Sequence, residues 1–324
     1  MFEISYPDHL SFARRQTPVH YLKNRSDQHG SYHLWMKRDD LTGVELSGNK
    51  VRKLDFLLQE AISQDCTYVI TCGGLQSNHC RATAFMAARL GLKCRLFLRG
   101  TRPEQPTGNY FLDLLSGAEI EFVTPEAYQD IDRIMLEEAS RKANVYVVPE
   151  GGSNATGAWG YIRCFEEIVY QSRKQKLAFD TVVVATGSGG THAGLLIGKI
   201  LMASDIDIFS VNVCDNAGYF REKIMRIIDE FSQKYAISLH LADNEINIID
   251  GHVGAGYGLI GPEEINLIKS FAREEGIILD PVYGAKAFRG LEASIARQEL
   301  PGKNILFIHT GGIFGIFPVA DQFK

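Results

Sequence analysis

The first candidate for chemistry is a lysine, a residue type that can act as a nucleophile, and it directly follows a small, turn-forming tripeptide. Lys50 lies in SGNKVRKL (residues 47–54), after Ser-Gly-Asn and at the start of a predicted helix. The helix dipole disfavours a cation in the first helical turn. The same potential, with partial burial, would lower the pKa of the amine and favour its nucleophilic neutral form. The alternative is an ordinary solvated lysine, and this segment alone does not separate the two.

A second candidate is an anion site at the start of another helix. In CGGLQSNHCRA (residues 72–82) a predicted strand ends at two glycines, and Ser77-Asn78 then opens a helix. Free backbone N–H groups at such a position bind anions, for example a substrate carboxylate. Ser and Asn are also preferred N-cap residues, so a purely structural capping role is an equal alternative.

A third candidate is a glycine-rich turn that favours phosphate. In VVVATGSGGTHAGL (residues 182–195) an apolar strand leads into Gly187-Ser188-Gly189-Gly190-Thr191 and then into a helix. Successive backbone N–H groups in such a turn can cradle a phosphate. No Gly-Lys-Ser/Thr follows, which excludes a P-loop, and Gly194 is out of register for the dinucleotide fingerprint. The alternative is a tight strand-to-helix turn without a ligand.

The last candidates lie near the C-terminus. Tyr257 and Tyr283 each lie beside a glycine, in AGYG and LDPVYGAKAFRG, where a phenol can project into a pocket. Thr310 follows an apolar strand in FIHTGGIFG and precedes two glycines. A tyrosine that packs in the core and has a satisfied hydroxyl is the stronger alternative for either phenol taken alone.

The elements that must position these residues alternate between strands and helices from residue 50 onward. Apolar residues spaced by three and four predict helices over residues 52–64 and 77–90, the second closed by Gly91. Such alternation is typical of parallel sheets covered on both faces, with ligands beyond the carboxyl ends of the strands. Two series of this kind predict two α/β units with a cleft between them. The predicted strands are residues 67–72, 94–98, 119–123, 145–148, 181–185, 206–213 and 304–308.

Composition bounds the class of protein. The 324 residues are enough for two domains, and the net charge of −5 without a dense basic block argues against a nucleic-acid partner. No apolar run is long enough for a membrane-spanning helix, and the N-terminus lacks a signal-peptide core. The six cysteines form no CxxC pair, so we expect reduced thiols, no metal site and a cytoplasmic protein.

In their order, these motifs resemble the tryptophan synthase β-like (fold type II) family of pyridoxal-phosphate enzymes. Within it the chain is similar to the branch of 1-aminocyclopropane-1-carboxylate deaminase and D-cysteine desulfhydrase. The resemblance extends from TPVHYL (residues 17–22) through KRDDLTG (residues 37–43) to HTGG. It implies an α/β fold of two three-layer domains with mainly parallel sheets. Residues 1–50 and 161–324 would form the larger, cofactor-binding domain and residues 51–160 the smaller one, with the active site between them.

The resemblance also implies a role for each candidate. Lys50 would carry pyridoxal 5'-phosphate as a Schiff base and later move the Cα proton, and Asn78 would bind the phenolic oxygen of the cofactor. Ser77 would meet the substrate carboxylate or assist proton transfer. Tyr257 and Tyr283 match the two active-site tyrosines of the branch. The phosphate would be held by the loop residues Gly187, Gly189, Gly190 and Thr191, and the pyridine nitrogen would contact Thr310.

One position separates activities within the branch. The deaminases of this branch look to have a glutamate directly after the second tyrosine, which would pair with the pyridine nitrogen. This chain has Gly284 at that position. Thr310 at the pyridine nitrogen would make the ring a weaker electron sink, which suits loss of a thiol better than opening of a cyclopropane. The preferred prediction is therefore α,β-elimination of D-cysteine to pyruvate, sulfide and ammonia in a homodimer that binds neither nucleic acid nor membrane. The alternatives are 1-aminocyclopropane-1-carboxylate deamination, L-cysteate sulfo-lyase activity and a non-catalytic anion-binding protein.

Overall fold

The computed structural model describes residues 4–324, which form two β-sheets with helices packed on both faces of each. The strands of this part of the chain are β1 (Val19–Tyr21), β2 (His33–Lys37), β3 (Tyr68–Gly74), β4 (Lys93–Arg99), β5 (Glu119–Val123), β6 (Val145–Val147), β7 (Thr181–Thr186), β8 (Asp207–Asn212), β9 (Asn247–Ile249) and β10 (Asn304–Ile308).

The α-helices of the described residues are α1 (Lys23–Gln28), α2 (Lys50–Ser63), α3 (Asn78–Arg89), α4 (Gly108–Leu115), α5 (Ile131–Ser140), α6 (Ala155–Gln175), α7 (Gly190–Leu201), α8 (Ala217–Tyr235), α9 (Pro262–Glu275) and α10 (Gly284–Ala296). A 3₁₀ helix spans Ile313–Phe323.

The larger sheet has six strands in the order β1-β2-β10-β7-β8-β9. Only the β1–β2 pair is antiparallel. Successive side chains of β7 point to opposite faces, as strand geometry requires. Val182 and Val184 pack in a core with α6, α7 and α8, whereas Val183 and Ala185 pack in a second core with α9 and α10. The apolar run of β7 is therefore buried on both sides of a three-layer unit.

The smaller sheet has four parallel strands in the order β5-β4-β3-β6. Its central strand β3 alternates in the same way, because Val69 packs with α2 and α3 whereas Ile70 packs with α5. The α/β architecture with mainly parallel sheets is thus confirmed. The predicted division at residues 50/51 and 160/161 falls at the start of α2 and inside α6, and it stays a prediction.

The seven strands predicted from the sequence are all present, with ends displaced by at most two residues. Strands β1, β2 and β9 were not predicted. They span three, five and three residues, and β1 and β9 form the two edges of the larger sheet. Their sequences VHY, HLWMK and NII mix polar with apolar residues, unlike the β-branched and aromatic run VYV of the equally short β6, so they did not stand out.

A buried network of charges fixes α2 and therefore the position of Lys50. Two residues further along, the guanidinium of Arg52 donates to both carboxylate oxygens of Asp39 at 2.8 Å and to those of Glu167 at 2.9 and 3.0 Å. Burial alone would raise the pKa of Asp39, but the charges of Arg52 and Lys37 outweigh it and hold the pKa at about 2. Paired, hydrogen-bonded charges of this kind tolerate burial where single charges do not.

Other sequence expectations concern membranes, metals and thiols. Among residues 4–324 no helix is both long and apolar enough to cross a bilayer. The same residues contain no cluster of three or more His, Cys, Asp or Glu side chains arranged to hold a metal ion. All six cysteines are free thiols, and only Cys214 is partly exposed.

Candidate active site

Two adjoining cavities lie at the carboxyl ends of the parallel strands, where ligands are expected in this class of fold. They share Lys50, Gly187, Ser188 and Tyr283 as lining residues. The Thr310 cavity is completed by Asn49, Asn78, Ala185, Thr186, Gly189, Thr191 and Thr310. The Arg99 cavity also includes Ser77, Arg99, Tyr128, Glu150, Lys223 and Tyr257 among its walls. Of the residues predicted from the sequence, only Gly190 lines neither cavity.

Lys50 is the first residue of α2, as its motif predicts, and it is only 9% exposed. Its Nζ lies 3.4 Å from the carbonyl oxygen of Gly151. Burial is the main cause that lowers the pKa of Lys50 to about 8, and the charge of Lys223 acts in the same direction. Glu150 opposes them by favouring the ammonium. The structure therefore places a lysine with an easily lost proton between the two cavities.

A second buried lysine lies beside it and was not singled out from the sequence. Lys53 is fully buried, and its Nζ donates to the carbonyl oxygen of Gly151 at 3.2 Å and to Oγ of Ser153 at 3.1 Å. Burial, followed by the charges of Lys50 and Lys223, holds the pKa of Lys53 well below its usual range. The signal was the spacing of three, which puts Lys53 on the same helix face as Lys50.

The two buried amines give a physical test of whether an anionic cofactor fits here. Neither Lys50 nor Lys53 forms an ion pair with any residue of the described chain. Unpaired buried cations are costly, and a phosphate group would balance them. The residues present therefore fit a phosphate-bearing ligand such as pyridoxal phosphate.

The glycine-rich loop adds the backbone geometry for a phosphate. Gly189 adopts a φ of +80°, and Gly190 then begins α7. A Cβ on Gly190 would lie 2.6 Å from Oγ of Ser153, so this glycine serves close packing rather than the cavity wall. Nδ2 of Asn49 donates to Oγ1 of Thr191 at 3.2 Å, which ties the loop to the residue before Lys50.

Ser77 caps a helix, which is one of the two roles that the sequence left open, and its side chain also lines a cavity. Ser77 is the N-cap of α3, and its Oγ accepts from the backbone N–H of Cys80 at 3.1 Å. The hydroxyl also faces the Arg99 cavity and retains its own proton to donate. A Cβ on Gly73 would lie 2.4 Å from that Oγ, so the strand can reach the cap only with glycine there. Capping and ligand binding are compatible at this position.

The two predicted tyrosines meet directly. Their hydroxyl oxygens are 2.6 Å apart, and the rings are nearly perpendicular at 74°. Burial raises the pKa of both Tyr257 and Tyr283 above the usual value for a phenol. Both phenols therefore keep their protons near neutral pH and act as donors. One donates to the other, which leaves one O–H free for a ligand.

Thr310 lies in the wall of its cavity, held by its neighbours. Its carbonyl oxygen accepts from the backbone N–H of Asn49 at 3.0 Å. Gly48 allows this approach, because a Cβ there would lie 2.9 Å from that oxygen and its φ is +101°. His309 anchors the other side through a 2.9 Å contact between its Nε2 and the carbonyl oxygen of Ile278. The loop that precedes Lys50 is thereby fastened to the Thr310 strand end.

Two charged residues of the Arg99 cavity, Arg99 and Glu150, were not predicted from the sequence. Arg99 ends β4, and its guanidinium carbon lies 5.1 Å from the ring centre of Tyr128 and 5.3 Å from that of Tyr257. Glu150 accepts from the hydroxyl of Tyr128 at 2.8 Å. The available signal was position, because Arg99 directly ends a parallel strand and Glu150 follows β6 by three residues.

Comparisons with known proteins identify the family. The profile described as "Pyridoxal-phosphate dependent enzyme" matches residues 10–311. A Thermotoga maritima protein, provisionally named a 1-aminocyclopropane-1-carboxylate deaminase, is 45% identical over 95% of this chain and 97% of its own length. An Arabidopsis thaliana protein is 41% identical over 98% of this chain and 81% of its own. It is named a mitochondrial bifunctional D-cysteine desulfhydrase/1-aminocyclopropane-1-carboxylate deaminase.

A solved structure gives the same result for the fold. It is described as a crystal structure of an ACC deaminase homologue, and it superposes with a TM-score of 0.89. The sequences are 37% identical, and the match covers 98% of this chain and 95% of the other. Sequence and architecture therefore agree over nearly the whole length of the chain.

Proposed function

Because the chain belongs to the family of pyridoxal-phosphate-dependent enzymes, we propose that it eliminates sulfide from D-cysteine, giving pyruvate and ammonia. The bound cofactor supplies an electron sink for the electrons left at Cα when a bond to that atom breaks. Lys53 and the loop Gly187–Thr191 would hold its phosphate, Asn78 would donate to its ring oxygen, and Thr310 would lie at its ring nitrogen.

Lys50 would hold the cofactor and then act as the base. A pKa of about 8 leaves a useful fraction of the amine neutral near pH 7, whereas an ordinary lysine is almost entirely protonated. The neutral Nζ removes the proton from Cα of the substrate, and burial keeps water from competing. Ser77 Oγ–H and the free N–H groups at the start of α3 bind the substrate carboxylate.

The tyrosine pair supplies protons rather than removing them. With pKa values raised by burial, Tyr257 and Tyr283 remain protonated at neutral pH. Their 2.6 Å contact directs the remaining O–H of the pair towards the ligand and lets one phenol replenish the other. We assign them to donate a proton to the sulfur as the Cβ–S bond breaks, so that the thiol leaves as hydrogen sulfide, and the proton that Lys50 has taken from Cα balances the one that the phenols lose.

The observation that carries this substrate choice is that, among residues 4–324, no carboxylate lines the Thr310 cavity. Gly284 has no side chain, and a Cβ there would lie 2.8 Å from Oδ1 of Asp280. Asp280 itself lines neither cavity, because its oxygens accept from the backbone N–H groups of residues 282, 283 and 284. Thr310 then provides only a neutral hydroxyl. A weaker electron sink favours loss of a good leaving group over opening of a carbon ring.

A substrate panel tests the proposal. Purified protein loaded with pyridoxal phosphate is given D-cysteine, L-cysteine, 1-aminocyclopropane-1-carboxylate and L-cysteate, and sulfide, 2-oxobutyrate and sulfite are measured. Sulfide from D-cysteine is expected as the fastest reaction. Lys50→Ala is expected to lose turnover and the visible absorption band that borohydride removes from the wild type. Faster release of 2-oxobutyrate or sulfite would contradict the substrate choice, and full turnover by Lys50→Ala would contradict the chemistry.

The second candidate function is 1-aminocyclopropane-1-carboxylate deamination. Both relatives reported above carry this activity in their names, one of them together with D-cysteine desulfhydrase. The Tyr257–Tyr283 pair lines the cavity and is available to either substrate. The same panel decides, because 2-oxobutyrate arises from the cyclopropane and not from cysteine. L-Cysteate sulfo-lyase activity is the third outcome, read as sulfite.

Assembly and compartment are also proposals. We infer a cytoplasmic homodimer, supported by the resemblance to this branch and, for the compartment, by six thiols that form no disulfide. Light scattering of the purified protein tests the dimer, and a mass corresponding to one chain would contradict it. Fractionation of the source cells tests the compartment.

A further inference from the structure

A buried asparagine of the smaller sheet unit contacts the side-chain amide of Asn78, the predicted ligand of the cofactor. Asn109, the second residue of α4, is fully buried. Its Nδ2 donates to the backbone carbonyl of Gln76 and to Oδ1 of Asn78, both at 2.9 Å. A backbone carbonyl can only accept, so the amide of Asn109 must present its NH₂ group on this side. The contact with Gln76 therefore fixes the contact with Asn78.

The consequence falls on the other half of the Asn78 amide. With Oδ1 committed to Asn109, the NH₂ group of Asn78 points the opposite way, towards the Thr310 cavity that Asn78 lines. Nδ2 lies 2.9 Å from the place of a Cβ on Gly312, next to Thr310 and Gly311. Within residues 4–324 this nitrogen has no hydrogen-bond acceptor. A flipped amide would present an acceptor to the cavity instead.

The position of Asn109 is itself closely determined. Its backbone N–H donates to Oε1 of Gln76 at 2.8 Å. The preceding Gly108 has a φ of +61°, and a Cβ there would lie 2.5 Å from Oε1 of Gln76 and 2.7 Å from the carbonyl oxygen of Phe314. Only glycine allows this approach, which holds α4 against the segment that carries Asn78. The two contacts of Asn109, with Gln76 and with Asn78, are thus part of a closely packed region.

We propose that Asn109 is a positioning residue, which sets the amide of Asn78 so that it donates to the ring oxygen of the cofactor. The inference rests on the proposed function, because it requires pyridoxal phosphate in the Thr310 cavity. A donor stabilises the ionised ring oxygen, whereas an acceptor favours its protonated form. The orientation chosen by Asn109 therefore controls both the affinity for the cofactor and its colour.

A double-mutant cycle tests whether Asn109 acts on the cofactor through Asn78. Asn109→Ala, Asn78→Ala and the double variant are prepared as apoproteins, and the dissociation constant of pyridoxal phosphate and the absorption spectrum across pH are measured. Thermal melting of each apoprotein records the purely structural cost. Asn109→Ala is expected to weaken cofactor binding about tenfold and to move absorbance from the visible to the near-ultraviolet band. In the Asn78→Ala background, Asn109→Ala is expected to change the dissociation constant of pyridoxal phosphate by less than about twofold.

Each other result overturns the inference. Unchanged binding and spectrum in Asn109→Ala would do so, as would an equally large effect with Asn78 absent. Asn109→Asp serves if the alanine variant does not fold, since its carboxylate offers Asn78 only an acceptor and should give the same spectral change. A wild-type protein without a visible band would instead overturn the proposed function, and this inference with it.

Discussion

Replacing Glu150 by Gln is expected to speed cofactor capture near neutral pH. In the proposed function Lys50 reacts with the cofactor aldehyde only as the neutral amine, and Glu150 favours the charged form by raising the pKa of Lys50. The substitution removes that charge but keeps an oxygen to accept from the hydroxyl of Tyr128. The pH at which capture is half-maximal should therefore move downward.

The size of the effect follows from the charges around Lys50. With a pKa of about 8, roughly one amine in ten is neutral at pH 7, against fewer than about one in a thousand for an ordinary lysine. A nearby carboxylate in a partly buried site contributes about 1.4 kcal/mol, which corresponds to about one pH unit. Glu150→Gln should then raise the neutral fraction at pH 7 about fivefold.

The assay follows the visible band after mixing apoprotein with pyridoxal phosphate at a series of pH values. The wild type should show an inflection near pH 8, and Glu150→Gln an inflection about one pH unit lower. Glu126→Gln, a change at an exposed carboxylate, should behave as the wild type. An inflection above pH 10 in the wild type, or no displacement in Glu150→Gln, would refute the account of Lys50.

Three further predictions concern the cofactor site and the scaffold. Lys53→Met should weaken cofactor binding at least about tenfold, because the cation that would face the phosphate is lost. The same change should raise the melting temperature of the apoprotein, because Lys53 is a buried cation without an ion pair. A destabilised apoprotein would contradict this. Gly160→Ala should destabilise the protein by about 3 kcal/mol in urea unfolding, because its Cβ would lie 2.4 Å from the carbonyl oxygen of Arg52. Gly315→Ala is the control, since the space around its Cβ is open. Equal stability of the two variants would refute the packing argument. Burial raises the pKa of Asp55 to about 7. The folded state therefore binds the proton of Asp55 more tightly than the unfolded state does. The contribution of Asp55 to the free energy of unfolding is complete below about pH 4 and should fall by at most about 4 kcal/mol as the pH rises to 7. Asp55→Asn should lose less stability over that range, and an identical pH dependence in both proteins would contradict the assignment.

The sequence was informative wherever one residue type and its immediate neighbours determine the outcome. Glycines, a β-branched run and Ser-Asn predicted the turns beside Ser77 and Gly187, because backbone freedom and capping are local properties. Lys50 is correctly placed at the first residue of α2. The family resemblance rested on these same motifs, and the profile match over residues 10–311 agrees with it.

Local patterns did not reveal the relations between distant segments. Lys53 reads as one more helical cation until burial removes its solvent and leaves it beside Lys50. Asn109 lies 31 residues from Asn78 in sequence, and only the packing of α4 brings their amides to 2.9 Å. The short edge strands β1 and β9 likewise depend on their neighbours in the sheet.

The place of Lys50 at a helix start, the glycine-rich loop and the order of the elements were thus determined by the sequence itself, since turns, caps and hydrophobic alternation act over a few residues. Tertiary structure alone decided the pKa of Lys50, the donor orientation of Asn78 and the commitment of Asp280 to backbone amides. Each of these depends on desolvation or on a partner distant in the chain. Such interactions exist only once the chain has folded.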